Sequence, residues 1–159
     1  MFCWQTGFMA YNTLAGGMLT GKYIENPAAL DETVRENAME RLERPRGRMD
    51  TRGWGGTLYR YRTEAAQDAI KSYNNIAKTN GMSLTELSLR WSRQRSLITT
   101  SLVGHSNMDQ LQETMKYFKI RDPLPEKVMW EIDRVHMRNR LPIFSSNRVG
   151  SDWFGEGKL

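Results

Sequence analysis

The architecture turns on the segment Leu97-Ile98-Thr99-Thr100-Ser101-Leu102-Val103-Gly104-His105-Ser106. Its first seven residues are β-branched or apolar with few exceptions, the composition of a strand. Gly104-His105-Ser106 then forms a turn, and Met108, Leu111, Met115 and Phe118 recur at the spacing of a helix core face. A strand therefore hands over to a helix through a glycine turn. The unpaired N–H groups at such a helix start, with the helix dipole, favour an anion. Ser106 either caps the helix or offers its hydroxyl to a phosphate. Gln110, Glu113 and Thr114 follow at positions that share one helical face with Ser106. A ligand lying along that face would span roughly 10 Å over two turns. Each of these residues also has a plain reading, as a cap or as a solvated side chain.

Towards the amino end, Phe8-Met9-Ala10-Tyr11 is a second apolar run, long enough for a short buried strand, and it stops at Asn12-Thr13. Leu14-Ala15-Gly16-Gly17-Met18-Leu19-Thr20-Gly21-Lys22 follows as another glycine turn, and Lys22 could meet a pyrophosphate or ribose there. Residues 24–62 read as one long polar loop with a helical suggestion around Asp31–Leu42, which in a compact domain points to a functional or disordered segment. Thr63 then predicts an N-cap for a helix facing inward with Ala66, Ala69, Ile70, Tyr73, Ile76 and Ala77, stopped at Gly81. Ser83-Leu84-Thr85-Glu86 is a capping box opening a helix with Leu84, Leu87, Ser88 and Trp91 inward. Pro123-Leu124-Pro125 starts a last helix with Val128, Met129, Ile132 and Val135 inward, and residues 141–159 read as a tail.

Strands alternating with helices predict an α/β fold with parallel strands and helical crossovers. No internal repeat or low-complexity tract divides the chain, which reads as one continuous unit, residues 1–159, and since two strands cannot close a sheet it reads as part of something larger. Cys3 is the only cysteine, which excludes an internal disulfide framework or cysteine cluster and makes a reducing, cytoplasmic setting the default. His105 and His136 are the only histidines and stand far apart, so no metal site is expected. No apolar run reaches the roughly 20 residues of a membrane helix.

The formal charge of +5 comes from 23 Lys and Arg against 18 Asp and Glu, and much of the excess lies in residues 41–62 among Trp54, Tyr59 and Tyr61. Interleaved basic and aromatic residues suit nucleic acid, a loop over an anionic cofactor, or a solvated insertion. Nucleic-acid binding is the weakest of these, since charge alone supports it.

Ala10-Tyr11-Asn12-Thr13-Leu14-Ala15-Gly16-Gly17-Met18-Leu19-Thr20-Gly21-Lys22-Tyr23 resembles the seventh-strand segment of the aldo-keto reductases, A-Y-S-P-L-A-x-G-x-L-T-G-K-Y. Val103-Gly104-His105-Ser106-Asn107-Met108-Asp109-Gln110-Leu111-Gln112-Glu113-Thr114 resembles their eighth-strand segment, G-x-S-x-x-x-Q-L-x-E-N. The likeness runs to about Arg138 and is strongest to the branch holding the Tas-like reductases and the potassium-channel β subunits.

The resemblance implies strands 7 and 8, with their helices, of a (β/α)8 TIM barrel, the carboxy-terminal and incomplete portion of that fold. It implies NADPH as cofactor, with Asn12, Leu14, Ala15, Gly16 and Lys22 at the nicotinamide ribose and pyrophosphate. Gly104, Ser106 and Gln110 would meet the adenosine ribose and its 2′-phosphate, and Glu113 and Thr114 the adenine, with Arg60 or Arg62 adding charge nearby. Thr13 stands where the family has proline, Asn12 where it has serine, and Thr114 where it has asparagine. The first two exchanges are expected to loosen the first turn.

The family's catalytic Asp, Tyr, Lys and His belong to the first four strands, which the matched segments do not include, so no catalytic residue is expected here. Three functions follow. One is the cofactor-binding part of an NADPH-dependent reductase, acting on a carbonyl only in the full barrel and completed by an amino-terminal segment or by self-association. The second is a non-catalytic nucleotide-binding or regulatory module, and the third a basic nucleic-acid binder.

Overall fold

A computed structural model describes residues 6–25, 47–50, 58 and 61–138. The expected helix at Asp31–Leu42, the tail 141–159 and Arg60 lie outside these residues. Two short strands, β1 (Met9–Ala10) and β2 (Thr100–Ser101), pair in parallel with Met9 opposite Thr100 and Ala10 opposite Ser101. The parallel pairing with a helical crossover is as expected, because antiparallel return would need only a tight turn. The strands are shorter than their composition predicts. Leu97 is 82% exposed and Tyr11 75%. With no further strand beside them among the described residues, the flanking apolar residues have no ladder to extend.

Four helices follow the first turn: α1 (Glu64–Thr79), α2 (Leu84–Gln94), α3 (Met108–Lys119) and α4 (Glu126–Arg138). Thr63 caps α1, accepting from the Ala66 amide at 3.1 Å. α1 ends with Asn80 as its cap and Gly81 one residue later in the left-handed region, φ +67°. The Met82 amide returns to the Ala77 carbonyl and that of Gly81 to Lys78, which satisfies two orphan acceptors of the last turn. Ser83 caps α2 through the Glu86 amide, while the Glu86 carboxylate turns to Arg90 at 2.9 Å.

α1 packs on α4 and α2, and α2 carries α3 on its other side. Ile70, Ile76, Ala77, Leu84, Leu87, Leu124, Val128, Ile132 and Val135 form the core together with Met18, Tyr23, Met49 and Leu58. Both faces of α2 are therefore buried, and Thr85, Leu89 and Ser92 join the expected Leu84 and Leu87. Its far end is bound to the connection after α3: Arg93 reaches the Phe118 and Ile120 carbonyls, and Gln94 accepts from the Leu124 amide at 2.9 Å.

The face expected for α3 is turned. Met108 and Met115 are exposed, 63% and 51%, and the buried residues are Thr114 and Tyr117. α3 meets only α2 among the helices it touches closely, so only the stripe towards α2 is covered. Pro125 lies just before α4 rather than in its first turn, and its carbonyl accepts from the Met129 amide at 3.1 Å.

Candidate functional site

Both glycine turns lie at the carboxyl ends of β1 and β2, and the parallel pairing puts them side by side. Thr13 Oγ1 donates to the Leu102 carbonyl at 3.0 Å, joining one turn to the other directly. The first turn is a 3-10 segment, Ala15–Thr20, with Gly16 at φ +66° and Gly17 at φ +95°. A Cβ on Gly16 would stand 2.9 Å from Leu58 Cδ1, so the left-handed backbone favours glycine and any larger residue would have to displace the leucine tip.

Asn12 and Thr13 do not loosen this turn, as had been expected of them. Asn12 adopts φ +57°, a conformation that asparagine tolerates better than most residues. Its Oδ1 accepts from the Gly16 amide at 2.7 Å and its Nδ2 donates to the Tyr61 hydroxyl at 2.8 Å. The Thr13 hydroxyl supplies a bond that proline could not. The exchanges therefore brace the turn from both sides.

The long loop returns over the site at several points that its polar composition concealed. Tyr23 is buried and its hydroxyl accepts from the amide of Met49, which is fully buried. A Cβ on Gly47 would collide with Lys22 Nζ, so the Lys22 ammonium is lodged between Gly47 and Gly17, 5.2 Å from the Tyr23 ring centroid. Arg48 is exposed, and its Nη2 is the one described neighbour, at 3.6 Å, that a Cβ on Gly104 would meet. Arg48, Met49, Leu58 and Tyr61 thus belong to the site's frame. For Met49, Leu58 and Tyr61 the sequence signal was only apolar and aromatic residues scattered in a polar stretch, and for Arg48 it was the basic run that suits a loop over an anionic cofactor.

At the second turn, Asn107 and not Ser106 caps α3, accepting from the Gln110 amide at 2.9 Å. Asparagine at the residue next to the helix has the shorter reach to that amide, which leaves the exposed Ser106 hydroxyl outside the cap. Gln110 Oε1 accepts from the Ser106 amide at 2.9 Å, so its Nε2 amine remains to donate. Thr114 turns inward, 5% exposed, and bonds His105 Nε2 at 2.9 Å. Glu113 is exposed on the outer side and accepts from the Tyr117 hydroxyl at 2.9 Å. Ser106, Gln110 and Glu113 therefore share one outer stripe, and Thr114 does not.

Burial is the main cause that raises the Tyr117 hydroxyl above its ordinary value of 10.0, followed by its bonds to Ser83, which lowers it, and Glu113, which raises it. A separate cavity of 610 Å³ lies between α1, α2, α4 and the strand ends, with Tyr11, Thr13, Trp91 and the Arg95–Asp133 pair among its walls. Of the residues expected to hold cofactor, none lines it. Among the described residues no group of three or more His, Cys, Asp or Glu could hold a metal ion, and no helix is long and apolar enough to cross a membrane.

The arrangement is an α/β one in which two glycine turns, a lysine and an arginine frame the carboxyl ends of parallel strands. The Aldo/keto reductase family model matches residues 5–136, and the chain belongs to that family, whose fold is a (β/α)8 barrel. It is 30% identical over 136 residues to an "Aldo-keto reductase" of Babesia bovis, covering 85% of this chain and 42% of that protein. It is 29% identical over 134 residues to "Protein tas" of Escherichia coli strain K12, covering 84% and 33%. A "Putative voltage-gated potassium channel subunit beta" of Schizosaccharomyces pombe is 24% identical over 132 residues, covering 81% and 33%. The chain thus spans 33% to 42% of the length of these relatives, and the likeness to the Tas-like branch stands.

Proposed function

We propose that this chain is the cofactor-binding, carboxy-terminal part of an NADPH-dependent aldo-keto reductase, contributing strands 7 and 8 to the barrel in the cytoplasm. The observation that carries the reading is the pair of glycine turns joined by Thr13 and Leu102, flanked by Lys22 on one side and Arg48 on the other. The exposed Gly104 has no side chain and stands beside the Arg48 guanidinium, which suits a phosphate oxygen approaching the backbone closely. The residues present therefore fit a dinucleotide. Gly16, Ala15, Leu14 and Asn12 give it a braced backbone surface, with Lys22 near the pyrophosphate. Gly104, Ser106 and Gln110 take the 2′-phosphate, and Arg48 adds positive charge beside it, together with Arg60 or Arg62. Glu113 accepts from the adenine amine, while Thr114 supports the turn through His105.

When bound, the cofactor supplies a hydride to a carbonyl. The chain's own residues bind and orient it and hold no proton for that step. The carbonyl substrate meets the site only in a full-length barrel, which an amino-terminal segment or a second copy completes. A non-catalytic nucleotide-binding or regulatory module is the alternative.

Calorimetric titration tests the reading. NADPH should bind about 10-fold or more tighter than NADH, the scale of charge-assisted bonds to one added phosphate. That preference should fall several-fold in Ser106→Ala/Gln110→Ala and vanish when Arg48→Ala is added. Equal affinity for the two nucleotides in the folded wild-type chain contradicts it.

A further inference from the structure

The Glu86 amide donates to Ser83 Oγ at 3.0 Å, Ser83 Oγ lies 3.0 Å from the Tyr117 hydroxyl, and that hydroxyl lies 2.9 Å from Glu113 Oε1. The proton directions follow from chemistry. A carboxylate only accepts, so Tyr117 donates to Glu113; its proton thus committed, Tyr117 accepts from Ser83, and Ser83 accepts from the backbone amide. The result is an unbroken one-way chain from the first turn of α2 to an exposed carboxylate on α3, each bond polarising the next.

An exposed glutamate ordinarily samples several rotamers. Glu113 is tied to a tyrosine that is itself 8% exposed and fixed between two helices. Arg90, beside the same α2 turn, is bonded to Glu86 at 2.9 Å and to the Asp122 carbonyl at 3.2 Å. The Glu113 carboxylate is therefore held at one oxygen by the Tyr117 hydroxyl, on the exposed side of α3. The raised Tyr117 hydroxyl stays protonated, and so a donor, throughout the neutral range.

Resting on the reading that places the adenine at Glu113, we propose that Tyr117 is a positioning residue that sets the base specificity of the site by holding the Glu113 carboxylate. A fixed carboxylate accepts from the exocyclic amine of adenine and repels the carbonyl oxygen that hypoxanthine carries at the same position. A carboxylate free to rotate away avoids the repulsion and loses the discrimination. The specificity of a surface residue is in this way built from the α2–α3 contact.

The test compares NADPH with its hypoxanthine analogue by calorimetry on the 159-residue chain. Wild type should prefer the adenine form by about 10-fold, and Tyr117→Phe should lower that preference by about 3- to 10-fold, the scale of ordering one long side chain. The NADPH-to-NADH ratio, which reports the phosphate end, should not change. In a Glu113→Ala background the Tyr117→Phe change should have no effect on base preference. If Tyr117→Phe does not fold, Ser83→Gly, a tolerated N-cap residue, removes the donor to Tyr117 together with the side-chain acceptor of the Glu86 amide, and it should lower the preference by about 2-fold. Base preference unchanged in the folded variant overturns the role of Tyr117 and leaves the nucleotide reading intact. Wild type that binds NADPH without base preference overturns it through Glu113. Wild type that binds neither nucleotide removes the underlying reading and the proposal with it.

Discussion

Thr13 Oγ1 and the carbonyl of Leu102 are 3.0 Å apart, and this bond ties the loop after β1 to the loop after β2 across a sequence separation of 89 residues. β1 and β2 share only two residue pairs, Met9 with Thr100 and Ala10 with Ser101, so the ladder alone fixes the turns weakly. The threonine hydroxyl extends the connection to the place where both backbones open towards a ligand. Thr13→Val should cost about 1 kcal/mol of stability in a urea titration and weaken NADPH binding several-fold. Thr13→Ser should keep both.

Gly16 and Gly81 share nearly the same backbone angle, φ +66° and +67°, but not the same surroundings. A Cβ on Gly81 meets nothing within 4 Å, whereas one on Gly16 stands 2.9 Å from Leu58 Cδ1. Gly81→Ala should cost about 1 kcal/mol, from the left-handed conformation alone. Gly16→Ala adds an overpacking cost and should lose about 2–4 kcal/mol. Denaturant midpoints measure both, and equal losses would contradict the docking of Leu58 on the first turn.

Stability at alkaline pH should report two tyrosines. Burial raises the hydroxyl of Tyr117, and burial followed by the Asp133 carboxylate raises that of Tyr73, each above the ordinary 10.0. The unfolded chain then releases these protons at a lower pH than the folded one. The stabilisation is fully present below the unfolded value of 10.0 and is lost as pH rises through the folded values. Urea midpoints measured between about pH 9 and 11 should fall, and less steeply in Tyr73→Phe and Tyr117→Phe.

Phe8, Met9, Tyr11 and Leu97 are 58%, 59%, 75% and 82% exposed around the two-stranded sheet. Such a surface favours association through paired edges and apolar contact. Sedimentation velocity should show concentration-dependent self-association of the chain, and Phe8→Lys/Tyr11→Lys should reduce it. A wild-type chain monomeric at high concentration would contradict the expected need for a completing partner.

The helical half of the molecule was legible in its sequence. Thr63, Ser83 and Gly81 carry local capping chemistry, and the inward residues of α1 and α4 lie where periodicity places them. The parts that were not legible depend on neighbours. The α3 face follows its contact with α2, which buries Thr114 and Tyr117 in place of Met108 and Met115. Strand length follows ladder partners, and the strand pair spans four residues although the composition of both runs suits more. At the site, the turn glycines and the outer stripe of Ser106, Gln110 and Glu113 could be read from spacing. The bracing by Asn12, the capping by Asn107 and the return of Met49 and Leu58 could not, because they join residues far apart in the chain or exchange roles between adjacent ones.

One cradle built from both turns is the centre of this account, and an NMR titration with NADPH tests it most directly. The backbone amides of Gly16 and Gly17 and those of Gly104 and Ser106 should shift together, following a single dissociation constant. Shifts confined to one turn, or two turns titrating with different constants, would contradict it.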